Sequence, residues 1–432
     1  MSEAALEETV AVETLQPKAD ISYKDLLKET NYMKETTATV VTRLGDGIDT
    51  IAMSLLVYSV TNSPLLVALS YAVNGLPNLI FGLCSGVLCK YFSEKKIMVV
   101  CDFGRALCVL AMMLLYVTGN INVISIFAIT FLISSFESFR EPAGMSITPQ
   151  ILSKDKMEKG IALSSTASKV ATLVGLAGAG VVVGILGIAG AMIIDIVTFI
   201  VCGLLIMSLK LPKEEKAIAE ELTAKTAMKD LKDGFKYVLG VKMVRSLCLL
   251  ALVVNAIVVP LNSLQAPYVS EVLRMGDNAG NAISVIGIGL MLGMSVGAII
   301  GQKLYSKLKG KKLMILGGIV ISIPYCLLVL LGGVNTYVTL VLLLLDVFVM
   351  GIGVTFVSYA VQLAMMTSVK EEYLARAASV FNALGLCASP IASCIVGAMA
   401  GFLPLEIIFM GSGILCLIVF IAQILNRSID EI

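Results

Sequence analysis

The chain has 432 residues, of which 58% are hydrophobic and 15% charged, with a formal net charge of +1 and a mean hydropathy of +0.93. Soluble domains sit near ~45–50% apolar and ~25% charged, so the composition excludes a water-soluble enzyme. The balanced charge, without basic stripes interleaved with aromatics, gives no sign of a nucleic-acid partner. Histidine is absent, so proton chemistry in this chain is expected to run on carboxylates.

Residues 1–35 are acidic and polar, contain Pro17 and lack the apolar core of a signal peptide. They are expected to form a cytosolic N-terminal tail, with a short interfacial helix from Tyr23 to Lys34. A bilayer core requires about 20 apolar residues per helix, which predicts twelve spans near 36–60, 65–89, 97–118, 121–140, 163–186, 189–209, 243–266, 281–303, 312–332, 337–359, 377–401 and 404–426. The first six make an N-terminal bundle, 36–209. A cytosolic linker, 210–242, follows, and apolar residues at helical spacing in Ala227–Leu239 predict an amphipathic surface helix there. The last six spans make a C-terminal bundle, 243–426, ahead of a cytosolic tail, 427–432.

Lysine and arginine crowd every second connection. Lys90, Lys95 and Lys96 follow the second span, Lys154, Lys156 and Lys159 the fourth, and Lys303, Lys307, Lys309, Lys311 and Lys312 the eighth. Arg274 is the cation on the opposite side. By the positive-inside rule both termini are cytosolic, which an even number of spans satisfies. The expected fold is therefore an all-α integral membrane protein with twelve transmembrane helices in two pseudo-symmetric six-helix bundles and a site near the midplane. Gly289, Gly293, Gly297 and Gly301 repeat every fourth residue in the eighth span and predict a tight helix contact.

Ionisable residues inside spans are expensive, roughly 2.5–3.5 kcal/mol each on insertion scales, and mark function by default. Arg43, Asp46 and Asp49 fall near one face of the first span. Arg43 and Asp46 can form an ion pair that merely holds the bundle together. Asp49 is less easily paired and is the stronger candidate for a protonatable, substrate-exchanging group. Asp346 in the tenth span is a further proton-coupling candidate, with a hydrogen-bonded structural role as the competing reading. Asp195 in the sixth span is expected to be structural.

Asp102 and Arg105, at the cytosolic end of the third span, are spaced i, i+3. Glu137 and Arg140 repeat that spacing in the fourth, followed by Glu141. These are gating candidates, with static pairs as the alternative. The amides Asn74, Asn255, Asn262, Gln265, Gln362 and Asn382 are candidates for a cavity lining, because an amide facing lipid is unfavourable. The cysteines lack CxxC spacing and histidine partners, so no metal site is expected. No phosphate-binding GxxxxGK[ST] motif is present, so neither nucleotide nor any other cofactor is expected.

Gly45-Asp46, then Thr61-Asn62-Ser63-Pro64, Leu76-Pro77, Asp102-x-x-Arg105-Ala106, Arg140-Glu141-Pro142-Ala143 and Ile194-Asp195-x-x-Thr198-Phe199 occur in an order that resembles the major facilitator superfamily. The closest resemblance is to the branch of macrolide-efflux-like proteins and the enterobactin exporter. The resemblance implies secondary active transport without enzymatic activity. It also makes the loop Gly86-Val87-Leu88-Cys89-Lys90 a gate element. In that family an acid at this point helps latch the halves, whereas here Lys90 occupies it. The Gly-Pro pair of many antiporters is replaced by Gly175-Leu176.

The expected function is a proton-coupled exporter of amphipathic small molecules, acting as a monomer in the plasma membrane by alternating access. A facilitator or importer of one metabolite is the first alternative. A transporter-shaped receptor or assembly protein is the second.

Overall fold

A computed structural model describes residues 23–211, 236, 240–332, 335–368 and 371–426. Side chains at 23–24, 82–91, 154, 158, 306, 365–368, 371–379, 382–383 and 386 lie outside that description. So do the segments 1–22 and 427–432 and the helix expected at 227–239.

The described secondary structure is helical throughout. The long helices are α1 (Thr30–Thr61), α2 (Pro64–Tyr91), α3 (Glu94–Val117) and α4 (Val123–Ile151). The run Lys154–Met207 breaks at Gly187, φ 69° and ψ −178°, into α5 (154–186) and α6 (188–207). Then come α7 (Lys242–Ser263) and the run Ala279–Leu328, which breaks at Lys309, φ 63°, into α8 (279–308) and α9 (310–328). The series closes with α10 (Thr336–Ser368), α11 (Glu371–Ala400) and α12 (Leu405–Leu425). A short helix, Tyr23–Leu26, precedes them.

The twelve helices match the predicted spans in order, but several are longer. α4 continues to Ile151 through Pro142 and Pro149, where the span was expected to stop at the charges near 140. The reason lies in tertiary pairing. Arg140 is neutralised by a neighbouring helix, so the charged run need not leave the bilayer. By length and composition alone, nine described stretches qualify as spans, with α5 and α6 merged into one of them. α1 is missing from that set because of its charges. α11 is missing because its described apolar stretch, Cys387–Ala400, is short.

The bundles pack by close backbone approach. Gly289, Gly293 and Gly297 face Leu344, Val347, Phe348, Gly351 and Ile352 of α10, as the four-residue glycine repeat predicts. A β-carbon at Gly293 would overlap the Phe348 carbonyl, whereas one at Gly184 meets nothing. Overpacking of this kind costs about 1–3 kcal/mol even where neighbours can shift. Gly293→Val is therefore expected to lower the yield of monodisperse protein on size-exclusion chromatography severely, and Gly184→Ala to leave it unchanged.

The two halves touch at one end. Gly75 lies against Pro390, Gly397 against Leu65 and Ala68, Gly180 against Gly280 and Asn281, and Gly287 against Leu176. Tyr58 Oη donates to Glu271 Oε1 at 2.8 Å, and the Gly180 amide donates to Ser284 Oγ at 2.9 Å. All these residues lie toward the ends of their helices remote from Tyr23. The halves are thus closed at the distal end, away from the short N-terminal helix. Glu271 sits in a π-turn, Tyr268–Val272, a local irregularity that recurs at functional positions. Tyr58→Phe is expected to weaken the distal closure. Labels placed across it should show a larger population of long distances by double electron–electron resonance.

Candidate functional site

The site is built on α1, and the glycines of Gly45-Asp46-Gly47 explain how. Gly45 faces α6, where a β-carbon would overlap Thr198 Oγ1 and stand 2.9 Å from Asp195 Oδ1. Gly47 faces α5, within 2.9 Å of the Thr172 carbonyl and 3.1 Å of Gly175 Cα by the same measure. With its small residues seated against both neighbours, α1 turns Asp46 and Asp49 inward.

Asp46 receives two guanidiniums. Arg105 of α3 reaches Oδ1 at 2.9 Å, and Arg43 reaches Oδ2 at 3.4 Å. Arg43 also contacts Glu141 at 2.9 Å and Glu137 at 3.8 Å. Arg105 is buried and stacks on the Phe199 ring, 4.0 Å from its centroid. Asp102 is fully buried and pairs with Arg140 of α4.

This pattern corrects the expected gating pairs. Asp102 bonds to Arg140 rather than to Arg105, and Arg105 bonds to Asp46. The spacing within one helix suggested partners, but packing of α1, α3 and α4 supplies closer ones. The positions change too, since α3 and α4 extend well to both sides of these residues. Asp102, Arg105, Glu137 and Arg140 thus lie in helix interiors and not at helix ends.

Asp49 lies at the edge of this network, within electrostatic reach of Asp46, Arg105 and Glu137. It makes no hydrogen bond or salt bridge to a described residue and lines two adjoining cavities, together with Thr50, Asn74 and Ile133. The first, of about 180 Å³, also carries Ser54, Ser70, Tyr71 and Thr130, and is closed by Asn262, Ser263 and Gln265 from the C-terminal half. The second, of about 360 Å³, continues past Asp46, Glu137 and Arg105 to Arg43, whose side chain is partly exposed. Asp49 thus stands where a polar chamber between the halves meets a charged vestibule.

The other candidates are distributed as follows. Asn74, Asn262 and Gln265 line the first cavity. Asn255 is exposed and donates to its own helix at the Ala251 carbonyl, 2.9 Å, which satisfies part of its amide outside either cavity. Gln362 is also exposed and outside both. The surroundings of Gly86 and the side chains of Lys90 and Asn382 lie outside the description. Asp346 is buried in the C-terminal half and lines neither cavity. Asp195, expected to be structural, is buried against Gly45 beside the charged network. Thr198 Oγ1 donates to the Asp195 carbonyl at 2.7 Å and to its carboxylate at 3.4 Å, a contact within one turn that gives no sign of the packing against Gly45.

Residues 36–393 match the family described as Major Facilitator Superfamily. The chain belongs to the major facilitator superfamily. Within this superfamily it is 28% identical over 320 residues to the uncharacterized MFS-type transporter YkuC of Bacillus subtilis (strain 168), covering 72% of each chain. It is 21% identical to the multidrug efflux pump Tap of Mycolicibacterium fortuitum, over 90% of this chain and 93% of that one. Among solved structures it is similar to the nucleoside transporter NupG, with a TM-score of 0.75 at 11% identity, covering 91% and 98%. It is also similar to a bacterial homologue of the iron transporter ferroportin in an inward-facing state, with a TM-score of 0.68 at 14% identity, covering 91% and 98%. These structural likenesses carry the twelve-helix fold in two pseudo-symmetric bundles and no substrate. The protein is a multi-pass membrane transporter of small molecules and not an enzyme.

Proposed function

We propose that the protein is a proton-driven exporter of small amphipathic molecules that works by alternating access. One observation carries this reading. Asp49 forms no salt bridge with a described residue, faces the chamber between the halves and adjoins a network in which carboxylates outnumber guanidiniums. Asp46, Asp49, Glu137, Glu141 and Asp195 share that region with Arg43 and Arg105, while Arg140 is held by Asp102. Uncompensated carboxylates in a membrane interior favour taking up a proton or a cationic ligand. Substrate and proton then compete for Asp49, and each drives the cycle through its different affinity for the two states.

The chamber has the mixed character such ligands need, with Met53, Val67 and Ile133 beside hydroxyls and amides. The likeness to Tap supports efflux, and the sequence motifs support the macrolide-efflux-like and enterobactin-exporter-like branch. In this reading the protein is a monomer in the plasma membrane with both termini cytosolic, and the vestibule at Arg43 opens to the cytosol.

A facilitator or importer of one metabolite is the second reading. It is favoured by Leu176 in place of the Gly-Pro pair, here packed against Gly287 across the interface. A compound panel in proteoliposomes with an imposed pH gradient separates the two. Export predicts uphill movement of several chemically different compounds that inhibit one another. Facilitation predicts one saturable solute, a narrow competitor profile and no accumulation.

A further inference from the structure

The C-terminal half holds a carboxylate that the N-terminal network does not reach. Asp346 lies in the interior of α10, 8% exposed, and its Oδ2 has no hydrogen-bond partner among the described residues. It makes no salt bridge to a described residue. Among the described residues, the titratable group that acts electrostatically with Asp346 is Tyr268, which is fully buried. The Tyr268 hydroxyl donates to the Leu328 carbonyl at 2.9 Å, and a phenol has a single proton to give. It therefore cannot also donate to Asp346. The flanking residues Leu343, Val347 and Met350 are buried and apolar, so no neighbour on α10 offers a charge.

A bare carboxylate in such a place is strongly disfavoured, and the group neutralises instead. Asp346 is also separate from Asp49, since it lines neither cavity and sits in the other half. We propose that Asp346 is a second proton-binding site, independent of the substrate chamber, so that one transport cycle carries two protons, one in each half. This rests on the proton-driven reading above. The proton binds to a carboxylate oxygen of Asp346 when the site is exposed to the acidic side and leaves from it on the other side. No other bond changes.

The test is the limiting substrate accumulation in proteoliposomes under a fixed pH difference, with membrane potential clamped at zero. Each coupled proton multiplies accumulation about tenfold per pH unit. Wild type is expected to approach about a hundredfold per unit, and Asp346→Asn about tenfold, with substrate binding at fixed pH unchanged. Asp346→Glu is expected to restore the wild-type value, which separates proton binding from packing. Equal limiting accumulation in wild type and Asp346→Asn overturns the proposal. A wild type that accumulates nothing contradicts proton-driven transport as a whole, and infrared spectra then decide for Asp346 alone. An acid carbonyl band, absent in Asp346→Asn, that appears and disappears with pH supports the site. A band unchanged at every pH marks a fixed structural acid and overturns it.

Discussion

Asp49→Asn is expected to lower limiting uphill accumulation about tenfold per unit of pH difference while leaving downhill counterflow of the same substrate intact. The substitution keeps the size and one carbonyl oxygen of the side chain and removes its ability to exchange a proton. Arg105, the cation within electrostatic reach of Asp49, stays paired with Asp46 at 2.9 Å, so the neutral replacement strands no countercharge and folding should be preserved. Binding should lose the part of its pH dependence that comes from competition with a proton. A control at Gln362, exposed and outside both cavities, should behave as wild type. Counterflow falling together with uphill transport would assign Asp49 to substrate binding alone.

The pair Arg105 and Asp46 is expected to behave in the opposite way, with a large effect on stability. Arg105 is buried, and Asp46 is mostly so. Breaking a buried pair by removing one partner costs about 3–5 kcal/mol, because the other charge remains without compensation. Arg105→Met strands Asp46 with Arg43 alone, and Asp46→Asn leaves Arg105 with more distant acids. Each single variant should show a clearly lower apparent melting temperature in detergent. The double variant should be more stable than the sum of the two losses implies, since contacting groups are not additive. The ring of Phe199 under the guanidinium would be retained in contact with the methionine side chain. Strictly additive losses would mean that the two residues act separately, contrary to the 2.9 Å contact.

The architecture was legible in the sequence because each span must satisfy the bilayer on its own. Length, hydropathy and the alternation of basic connections are local properties, and they located twelve helices and the break between α5 and α6. The glycine ladder of α8 was legible for the same reason, since four-residue spacing lies on one face whatever the partner is. Helix ends were less legible. The charges at Glu137, Arg140 and Glu141 resemble a membrane boundary when α4 is read alone, and only the guanidinium and carboxylate partners on α1 and α3 permit the helix to continue.

The site was half legible. Asp46 and Asp49 stood out because charge in an apolar run is rare. The pairing of Arg43 with Asp46 followed from i, i+3 spacing and is present. The stronger partner, Arg105, comes from another helix 59 residues away, and no local rule selects it. Asp195 was discounted for the same reason, because its place beside Gly45 depends on how α6 packs on α1. The amides divide similarly. Asn262 in the last turn of α7 and Gln265 just beyond it reach the chamber, whereas Asn255, two turns before Asn262 on the same helix, bonds to its own backbone.

The most direct measurement is simultaneous recording of substrate and proton movement in proteoliposomes carrying an internal pH dye, without an imposed pH gradient. A substrate gradient alone should drive protons in the opposite direction, at a rate that rises and saturates with substrate flux, and Asp49→Asn should lower the number of protons moved per substrate while substrate still moves downhill. Substrate flux in the wild-type protein with no accompanying proton movement would contradict proton coupling at Asp49.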